Sequence, residues 1–325
     1  MAIGQTLNEK YMRRAIQLAR NGILDASPNP MVGSVIVAPD GRIIGEGWHR
    51  RCGEGHAEVN AVASVSDESL LRDAVMYVTL EPCAHYGKTP PCAELIVSKG
   101  IPRVVVGCAD PFAKVAGRGI AMLREAGVEV EVGMLEEECL ALNRKFMRAH
   151  LMRRPFITLK WAQSADGFID GQISTPLTSM LVHRLRATHD AILVGSGTAL
   201  SDNPSLDTRL YAGRSPLKVV LDRRRRLDLP SMRLSDGGET IVMSDFQSLS
   251  EAMALLYGKG ITSLLVEGGA TVLDSFISDS LWDEIRVEIS PESICGKVAA
   301  PNIAGLAVVP SIETIDGHKI ITYRK

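Results

Sequence analysis

Val75-Met76-Tyr77-Val78-Thr79-Leu80-Glu81-Pro82-Cys83 reads as a strand that runs directly into a cysteine, and a second cysteine follows at Pro91-Cys92. Upstream, His56-Ala57-Glu58 opens a helix that reaches about Ser66. Downstream come a helix from Ala93, a strand at Val104-Val105-Val106, a helix near Gly119 to Ala126 and a strand from Val128 to Val132. Strands alternating with helices predict an α/β sheet covered by helices. Toward the N-terminus, Thr6-Leu7-Asn8-Glu9 reads as a capping box. The helix it opens carries Met12, Ala15, Ile16 and Ala19 on one face and stops near Gly22. After the turn Ser27-Pro28-Asn29-Pro30, a strand from Val32 to Val37 and a second at Ile43-Ile44 flank Pro39-Asp40-Gly41, which predicts a hairpin.

A charged helical stretch from Glu136 to Arg154 ends at Pro155, and a new strand begins at Phe156-Ile157-Thr158-Leu159. That places a domain boundary near residue 150, giving domains 1–150 and 151–325. The second half alternates again, with strands at Ala191 to Val194, Lys218 to Leu221, Thr240 to Met243, Ser263 to Val266 and Glu284 to Ile289. Two α/β domains suit a chain of 325 residues.

With 46% hydrophobic and 23% charged residues, the composition is that of a globular protein. A net charge of −2 offers no electrostatic grip on nucleic acid, so a small-molecule substrate is expected. No apolar run is long enough to span a membrane, and Met1-Ala2-Ile3-Gly4 opens no secretory signal. Six scattered cysteines without a leader read as metal ligands or free thiols in a cytoplasmic protein. Of these, Cys52, Cys108, Cys139 and Cys295 lack ligand partners at useful spacing.

His56, Cys83 and Cys92 form the nitrogen and sulfur set that a catalytic Zn²⁺ takes, with a fourth position left for water. Glu58, two residues beyond the histidine, is spaced to stand over that water and move protons. The pattern is that of zinc deaminases, in which His-x-Glu is followed by Pro-Cys and a further cysteine. Here eight residues, Ala84 to Pro91, separate the two cysteines instead of two, so a small loop must bring the thiolates together. The bland alternative is two unrelated buried cysteines and a capping glutamate.

The full loop, Leu80-Glu81-Pro82-Cys83-Ala84-His85-Tyr86-Gly87-Lys88-Thr89-Pro90-Pro91-Cys92, resembles that of the bifunctional deaminase–reductases of riboflavin biosynthesis, which carry the same long spacer. Ser27-Pro28-Asn29-Pro30-Met31-Val32-Gly33, Gly47-Trp48-His49 and His56-Ala57-Glu58-Val59-Asn60-Ala61 are similar to that family too. The resemblance implies a cytidine-deaminase-like three-layer domain in which Asn29, His49, His85 and Lys88 contact a ribosylated pyrimidine phosphate. The second half resembles the family's reductase domain, of dihydrofolate-reductase-like fold, at Thr158-Leu159-Lys160, Ser164-Ala165-Asp166-Gly167, Val194-Gly195-Ser196-Gly197-Thr198, Asp202-Asn203-Pro204-Ser205-Leu206 and Val266-Glu267-Gly268-Gly269-Ala270. By that resemblance Ser174, Arg186, Leu206, Arg209 and Glu267 line the substrate site. Ala162, Thr198, Asp202, Gly269, Ala270 and Thr271 would hold NADPH. The physics agrees at the last segment, where a strand ending in Gly268-Gly269 and opening a helix offers N–H groups to a pyrophosphate. Gly195-Ser196-Gly197 lacks the third glycine of a dinucleotide fingerprint.

Two positions depart from the family: Phe168 replaces its usual Lys, and Pro176-Leu177-Thr178-Ser179 replaces Trp-Ile-Thr-Ser. Arg223 to Arg226 is a candidate for the 2′-phosphate of NADPH, with a solvated loop as the alternative. The function expected is deamination of 2,5-diamino-6-ribosylaminopyrimidin-4-one 5′-phosphate followed by NADPH-dependent reduction of the ribosyl group to ribityl. A deaminase with a non-catalytic reductase-like domain stays open at this point. A nucleic-acid-editing deaminase is disfavoured by the missing basic surplus. A symmetric homo-oligomer is expected from the class of protein.

Overall fold

In the computed structural model, which describes residues 2–86, 90–110 and 117–325, the chain forms two units, Met1–Leu151 and Met152–Lys325. The first unit runs α1 (Ala2–Ala19), β1 (Gly33–Val37), β2 (Ile43–Trp48), α2 (Ala57–Ala63), β3 (Val75–Leu80), α3 (Cys92–Ser98), β4 (Arg103–Cys108), α4 (Arg118–Glu125), β5 (Glu129–Val132), α5 (Glu136–Leu142) and α6 (Arg144–Met152). Its five strands form one sheet in the order β2-β1-β3-β4-β5. The predicted hairpin β1–β2 is antiparallel, β1 pairs antiparallel with β3, and β3, β4 and β5 are parallel. Helices cover both faces. Met12, Ala15 and Ile16 of α1 pack with Val35, Tyr77 and Val105 on one side, and Ala61 and Val62 of α2 with Ile36, Met76 and Val104 on the other.

Gly47 fixes how closely α2 approaches the sheet. A Cβ there would lie 2.3 Å from the Ala61 nitrogen and 2.4 Å from the Ala57 oxygen, so any side chain would push the helix away.

Two boundaries differ from the sequence reading. Helix α1 begins at Ala2, ahead of the cap expected at Thr6, with no proline between the two and Gly4 accommodated within its first turn; the Thr6 side chain lies outside the described residues. The long helix expected from Glu136 breaks at Asn143. There the buried amide donates to the Met31 carbonyl and accepts the Met31 N–H, both over 2.8 Å, and so competes with helix propagation.

The second unit contains β6 (Phe156–Gln163), α7 (Pro176–Ala187), β7 (Ala191–Gly195), α8 (Ser196–Asp202), β8 (Leu217–Leu221), β9 (Thr240–Met243), α9 (Leu249–Gly258), β10 (Ser263–Val266), α10 (Ala270–Ser278), β11 (Glu284–Ile289), β12 (Ser311–Ile315) and β13 (His318–Arg324). Its eight strands follow the order β12-β13-β11-β6-β10-β7-β8-β9. The six strands from β11 to β9 are parallel, and β13 and β12 add an antiparallel edge. The central strands β7 and β10 are buried along their whole length, as covering on both faces demands. Ile157, Leu159 and Leu193 pack beneath α9 and α10, and Ile192, Val194 and Val220 pack on the opposite face.

The hairpin β12–β13 was absent from the sequence reading. Its two-residue turn, Asp316-Gly317, takes φ values of 51° and 79° between alternating residues, the Asp-Gly signal of a type I′ hairpin.

Candidate active sites

Each atom of the expected zinc set sits at the end of an element. His56 is the N-cap of α2, Cys83 lies just past the end of β3, and Cys92 is the first residue of α3. His56 Nδ1 stands 3.5 Å from Cys83 Sγ and 3.3 Å from Cys92 Sγ. All three ligand atoms fall within 4.8 Å of one another, the group among the described residues able to hold a metal. Ligands at ~2.0–2.3 Å from a tetrahedral zinc stand roughly 3.3–3.8 Å apart, so this trio fits the ion and leaves a fourth position. The eight-residue spacer therefore does what the short one does elsewhere.

The electrostatics favour a thiolate in advance of any metal. The Cys92 thiol, and after it His56, hold Cys83 well below its ordinary pKa; Cys83 and burial push Cys92 up. The Cys92 N–H also donates to Cys83 Sγ over 3.3 Å. Glu58, in the first turn of α2, is 3% exposed. Burial, then the negative charge of Cys83, pushes its carboxyl up to about 7. A carboxyl buried beside the His56, Cys83 and Cys92 trio that it does not join is placed to accept and return a proton.

Asn29 and His49 stand next to this group. The edge of one ring meets the face of the other between His49 and His56, with centroids 5.4 Å apart. His49 Nδ1 lies 3.2 Å from the Gly55 carbonyl, which can only accept, so Nδ1 carries the proton. Nε2 then accepts from Asn29 Nδ2 at 3.2 Å. Burial holds His49 below its ordinary pKa, consistent with this neutral form. The pairing fixes which way the Asn29 amide faces. Asn60 of α2 ties the same loop by donating to the Trp48 and Gly55 carbonyls over 2.8 and 3.0 Å. His85 is exposed, two residues past Cys83, and Lys88 lies outside the described residues.

Glu81 was missed as a positioning residue. Its buried carboxylate accepts the N–H groups of Gly117 and Gly119 over 3.0 Å, and of Asp110 and Ile120 over 3.3 Å. It thereby caps the N-terminus of α4, which has no other side-chain cap, and anchors the segment beside the metal set. The signal was a carboxylate wedged between an apolar strand and Pro82-Cys83.

In the second unit, the ends of the parallel strands surround a cavity of about 370 Å³. It brings together Ala162, Ser174, Thr198, Asp202, Glu267 and Gly269, six of the expected residues. Glu267 receives a bidentate pair from Arg186, Nε to Oε1 at 3.0 Å and Nη2 to Oε2 at 2.7 Å. Burial works to raise the Glu267 carboxyl, but Arg186 and then Lys160 outweigh it and hold it below its ordinary value.

Lys160 lines this cavity and was not singled out beforehand. Burial lowers its amine, against the pull of Glu267 and Glu288. A lone cation inside the otherwise apolar strand Phe156-Ile157-Thr158-Leu159-Lys160-Trp161 was the available signal.

Leu206 and Arg209 do not line the cavity. Leu206 packs its side chain into the core with Ile192 and Val194, and its backbone takes a φ of 51°. Arg209 is 57% exposed and donates to Ser205 and Asp207. It connects to the pocket only through Asp207, whose carbonyl accepts Arg186 Nη1 at 3.0 Å.

The glycine turn is built for close approach. A Cβ on Gly268 would lie 2.8 Å from Gly195 N and from Val194 Cα, so only glycine lets β10 and β7 end side by side. Gly269 N–H donates to Thr198 Oγ1 over 2.8 Å. Helix α10 then starts at Ala270 and Thr271 without a side-chain cap. Its first N–H groups suit a pyrophosphate, so the residues present fit a dinucleotide. Thr271 also lines a neighbouring cleft of about 810 Å³, shared with Ser196, Arg223, Arg224 and Arg226.

The two departures from the family are accommodated. Phe168 is held through its backbone, its N–H donating to Ser164 Oγ over 3.0 Å and its carbonyl accepting the Ser164 N–H over 2.9 Å. Pro176 is the first residue of α7, where its missing N–H costs nothing, and Thr175 with Thr178 forms the capping box.

Residues 5–108 match the family model for the cytidine and deoxycytidylate deaminase zinc-binding region. Residues 155–314, through both departures, match that for the RibD C-terminal domain. The riboflavin biosynthesis protein RibD of Bacillus amyloliquefaciens is 39% identical over 333 residues, covering 92% of this chain and 88% of the relative. RibD of Escherichia coli is 34% identical over 348 residues, covering 95% and 93%. Among solved structures, Acinetobacter baumannii RibD superposes with a TM-score of 0.89 at 32% identity, over 98% of this chain and 99% of that one. A diaminohydroxyphosphoribosylaminopyrimidine deaminase/5-amino-6-(5-phosphoribosylamino)uracil reductase from Thermotoga maritima gives 0.88 at 34% identity, over 99% of each chain. The chain belongs to the RibD family of bifunctional riboflavin-biosynthesis deaminase–reductases.

Proposed function

We propose that residues 1–150 remove the 2-amino group of 2,5-diamino-6-ribosylaminopyrimidin-4-one 5′-phosphate by hydrolysis. Residues 151–325 then reduce the ribosyl group of the product, 5-amino-6-(5-phosphoribosylamino)uracil, to ribityl with NADPH. The observation that carries this reading is one chain holding both the His56–Cys83–Cys92 trio beside Glu58 and the cavity ringed by Lys160, Asp202 and Glu267.

In the first reaction His56, Cys83 and Cys92 would hold zinc. Zinc supplies Lewis acidity that makes water a nucleophile near neutral pH. Glu58 takes a proton from the attacking water and returns it to the departing amine, which leaves as ammonia. Asn29, oriented by His49, hydrogen-bonds the ring. His85 and Lys88 are assigned to the substrate's phosphorylated sugar.

In the second reaction NADPH supplies hydride. Gly269, Ala270 and Thr271 bind its pyrophosphate, and Ala162, Thr198 and Asp202 line its path to the cavity. Lys160 and Glu267 face the ribosyl group. The 2′-phosphate falls to Arg224 and Arg226 in the larger cleft. Arg226 is already placed by Ser196 Oγ at 2.8 Å, whereas Arg223 is spent on the Phe246 and Gln247 carbonyls and Arg225 on Asp245. Arg186 and Arg209, linked through Asp207, supply positive charge at the substrate end.

The test is an assay of purified protein with the diaminopyrimidine phosphate, with and without NADPH. Ammonia should be released in both, and NADPH oxidised only after deamination. Protein that deaminates yet oxidises no NADPH when given the deaminated intermediate would establish the alternative, a non-catalytic C-terminal unit.

A further inference from the structure

Behind the wall of the second cavity lies a buried pair, Glu288 and His318, that holds the cavity-lining Ser174 and has been given no role so far. Glu288 of β11 is 3% exposed and His318 of β13 is 5% exposed. His318 Nδ1 meets Glu288 Oε1 at 2.9 Å. The other carboxylate oxygen, Oε2, accepts the hydroxyl proton of Ser174 at 2.7 Å. Ser174 lines the cavity; Glu288 does not. Strand register explains the arrangement. Glu288 pairs with Ala162 of β6 and Ile320 of β13, so it shares a sheet face with Lys160 and Ala162, which line the cavity, and with His318.

We propose that Glu288 and His318 are positioning residues that turn Ser174 into a pure hydrogen-bond acceptor, so that this end of the cavity selects a hydroxyl of the sugar chain and rejects its phosphate. The proposal rests on reading the cavity as the reductase pocket. A serine hydroxyl has one proton and two lone pairs. Here the proton is committed to a carboxylate that can only accept, and a second donor, His318 Nδ1–H, holds that carboxylate in place. What Ser174 offers the cavity is lone pairs. A ligand hydroxyl can donate to them, whereas a phosphate oxygen meets repulsion. Burial makes the commitment firm, because a buried carboxylate deprived of its donors would be costly.

Glu288→Gln reverses the polarity with almost no change of shape. His318 Nδ1–H keeps the amide oxygen facing it, so the amide NH₂ faces Ser174 and donates to its oxygen. The Ser174 proton then turns into the cavity. Binding of two probes, D-ribose 5-phosphate and inorganic phosphate, is measured by calorimetry on the full chain. Glu288→Gln should weaken ribose 5-phosphate about tenfold, the effect of losing the hydrogen bond its hydroxyl donates, and should tighten inorganic phosphate severalfold, because the freed Ser174 proton replaces the lone pairs that repelled it. Ser174→Ala, which removes the hydroxyl without touching the buried pair, should give a similar loss. In the Ser174→Ala background, Glu288→Gln should add nothing. KM for the deaminated substrate should rise in parallel, with ammonia release unchanged.

Equal weakening of both probes, no weakening in protein with wild-type melting behaviour, or fully additive losses would each overturn the proposal. A failure of the reductase reading shows separately, as wild-type protein that oxidises no NADPH with the deaminated substrate.

Discussion

Replacing Arg186 with methionine isolates the balance that keeps a carboxylate buried in the second cavity. The Arg186 and Glu267 side chains are 13% and 11% exposed and share two hydrogen bonds. Removing one partner of such a pair leaves a buried charge, which costs about 3–5 kcal/mol. Lys160 remains within electrostatic reach, so the lower end, about 3 kcal/mol, is expected. For a unit of this size that is a fall in Tm of about 6–12 °C. The sign of the pH dependence follows from the shift. Glu267 is held below its ordinary value, so its contribution is present above the ordinary carboxylate range and fades as pH falls through the lowered value. Without Arg186, burial outweighs Lys160 and the carboxyl rises, so acid relieves the variant while it weakens wild type. The gap between them should narrow steadily from pH 8 toward pH 4. Unfolding is followed by the fluorescence of Trp161 and Trp282 in a Trp48→Phe background. The double variant Arg186→Met/Glu267→Gln should recover part of the loss, since it leaves no unpaired charge. A gap constant with pH, or a double variant equal to the sum of the singles, would refute this account.

Three further outcomes follow from the geometry. Purified protein should hold about one zinc per chain, as a single three-ligand site requires, and Cys83→Ser or Cys92→Ser should lose both metal and ammonia release; metal analysis showing full retention would remove the ligand assignment. Glu58→Gln should keep its zinc but deaminate roughly 10²–10⁴-fold more slowly, while reduction of pre-deaminated substrate is unchanged; a matching fall in reduction would contradict two separate sites. Arg226→Ala should raise KM for NADPH by about tenfold or more and leave KM for NADH unchanged, because a guanidinium binds the 2′-phosphate that NADH lacks; an equal rise for both cofactors would place Arg226 elsewhere.

What could be read from the sequence was set by how local its cause is. The strands from Val75 to Leu80 and from Ser263 to Val266 are apolar runs whose burial on both faces shows in composition. His56, Glu58, Cys83 and Cys92 were legible because zinc chemistry restricts both residue type and spacing. The break at Asn143 was hidden, since its cause is the Met31 backbone more than a hundred residues away. Lys160 and Glu81 stood in view but were passed over. Each is a charge in an apolar setting whose partners come from distant segments: Glu267 and Glu288 for the first, the start of α4 for the second.

Leu206 and Arg209 are placed differently from the other residues that the family pattern suggests. The motif Asp202-Asn203-Pro204-Ser205-Leu206 with Arg209 is present, yet only Asp202 of those two ends reaches the cavity wall. Asn203 and Leu206 take φ values of 40° and 51°, bending the segment so that Leu206 enters the core and Asp207 turns its carbonyl to Arg186. The motif thus leads into a carbonyl that accepts a hydrogen bond from Arg186, which is itself paired with Glu267. In this geometry an Arg209→Ala variant reaches the substrate only through Asp207, and its effect on KM should be smaller than that of Arg186→Met. If the two effects were equal, Arg209 would have to swing from Asp207 onto the substrate, a movement its 57% exposure permits and its pairing with Asp207 opposes.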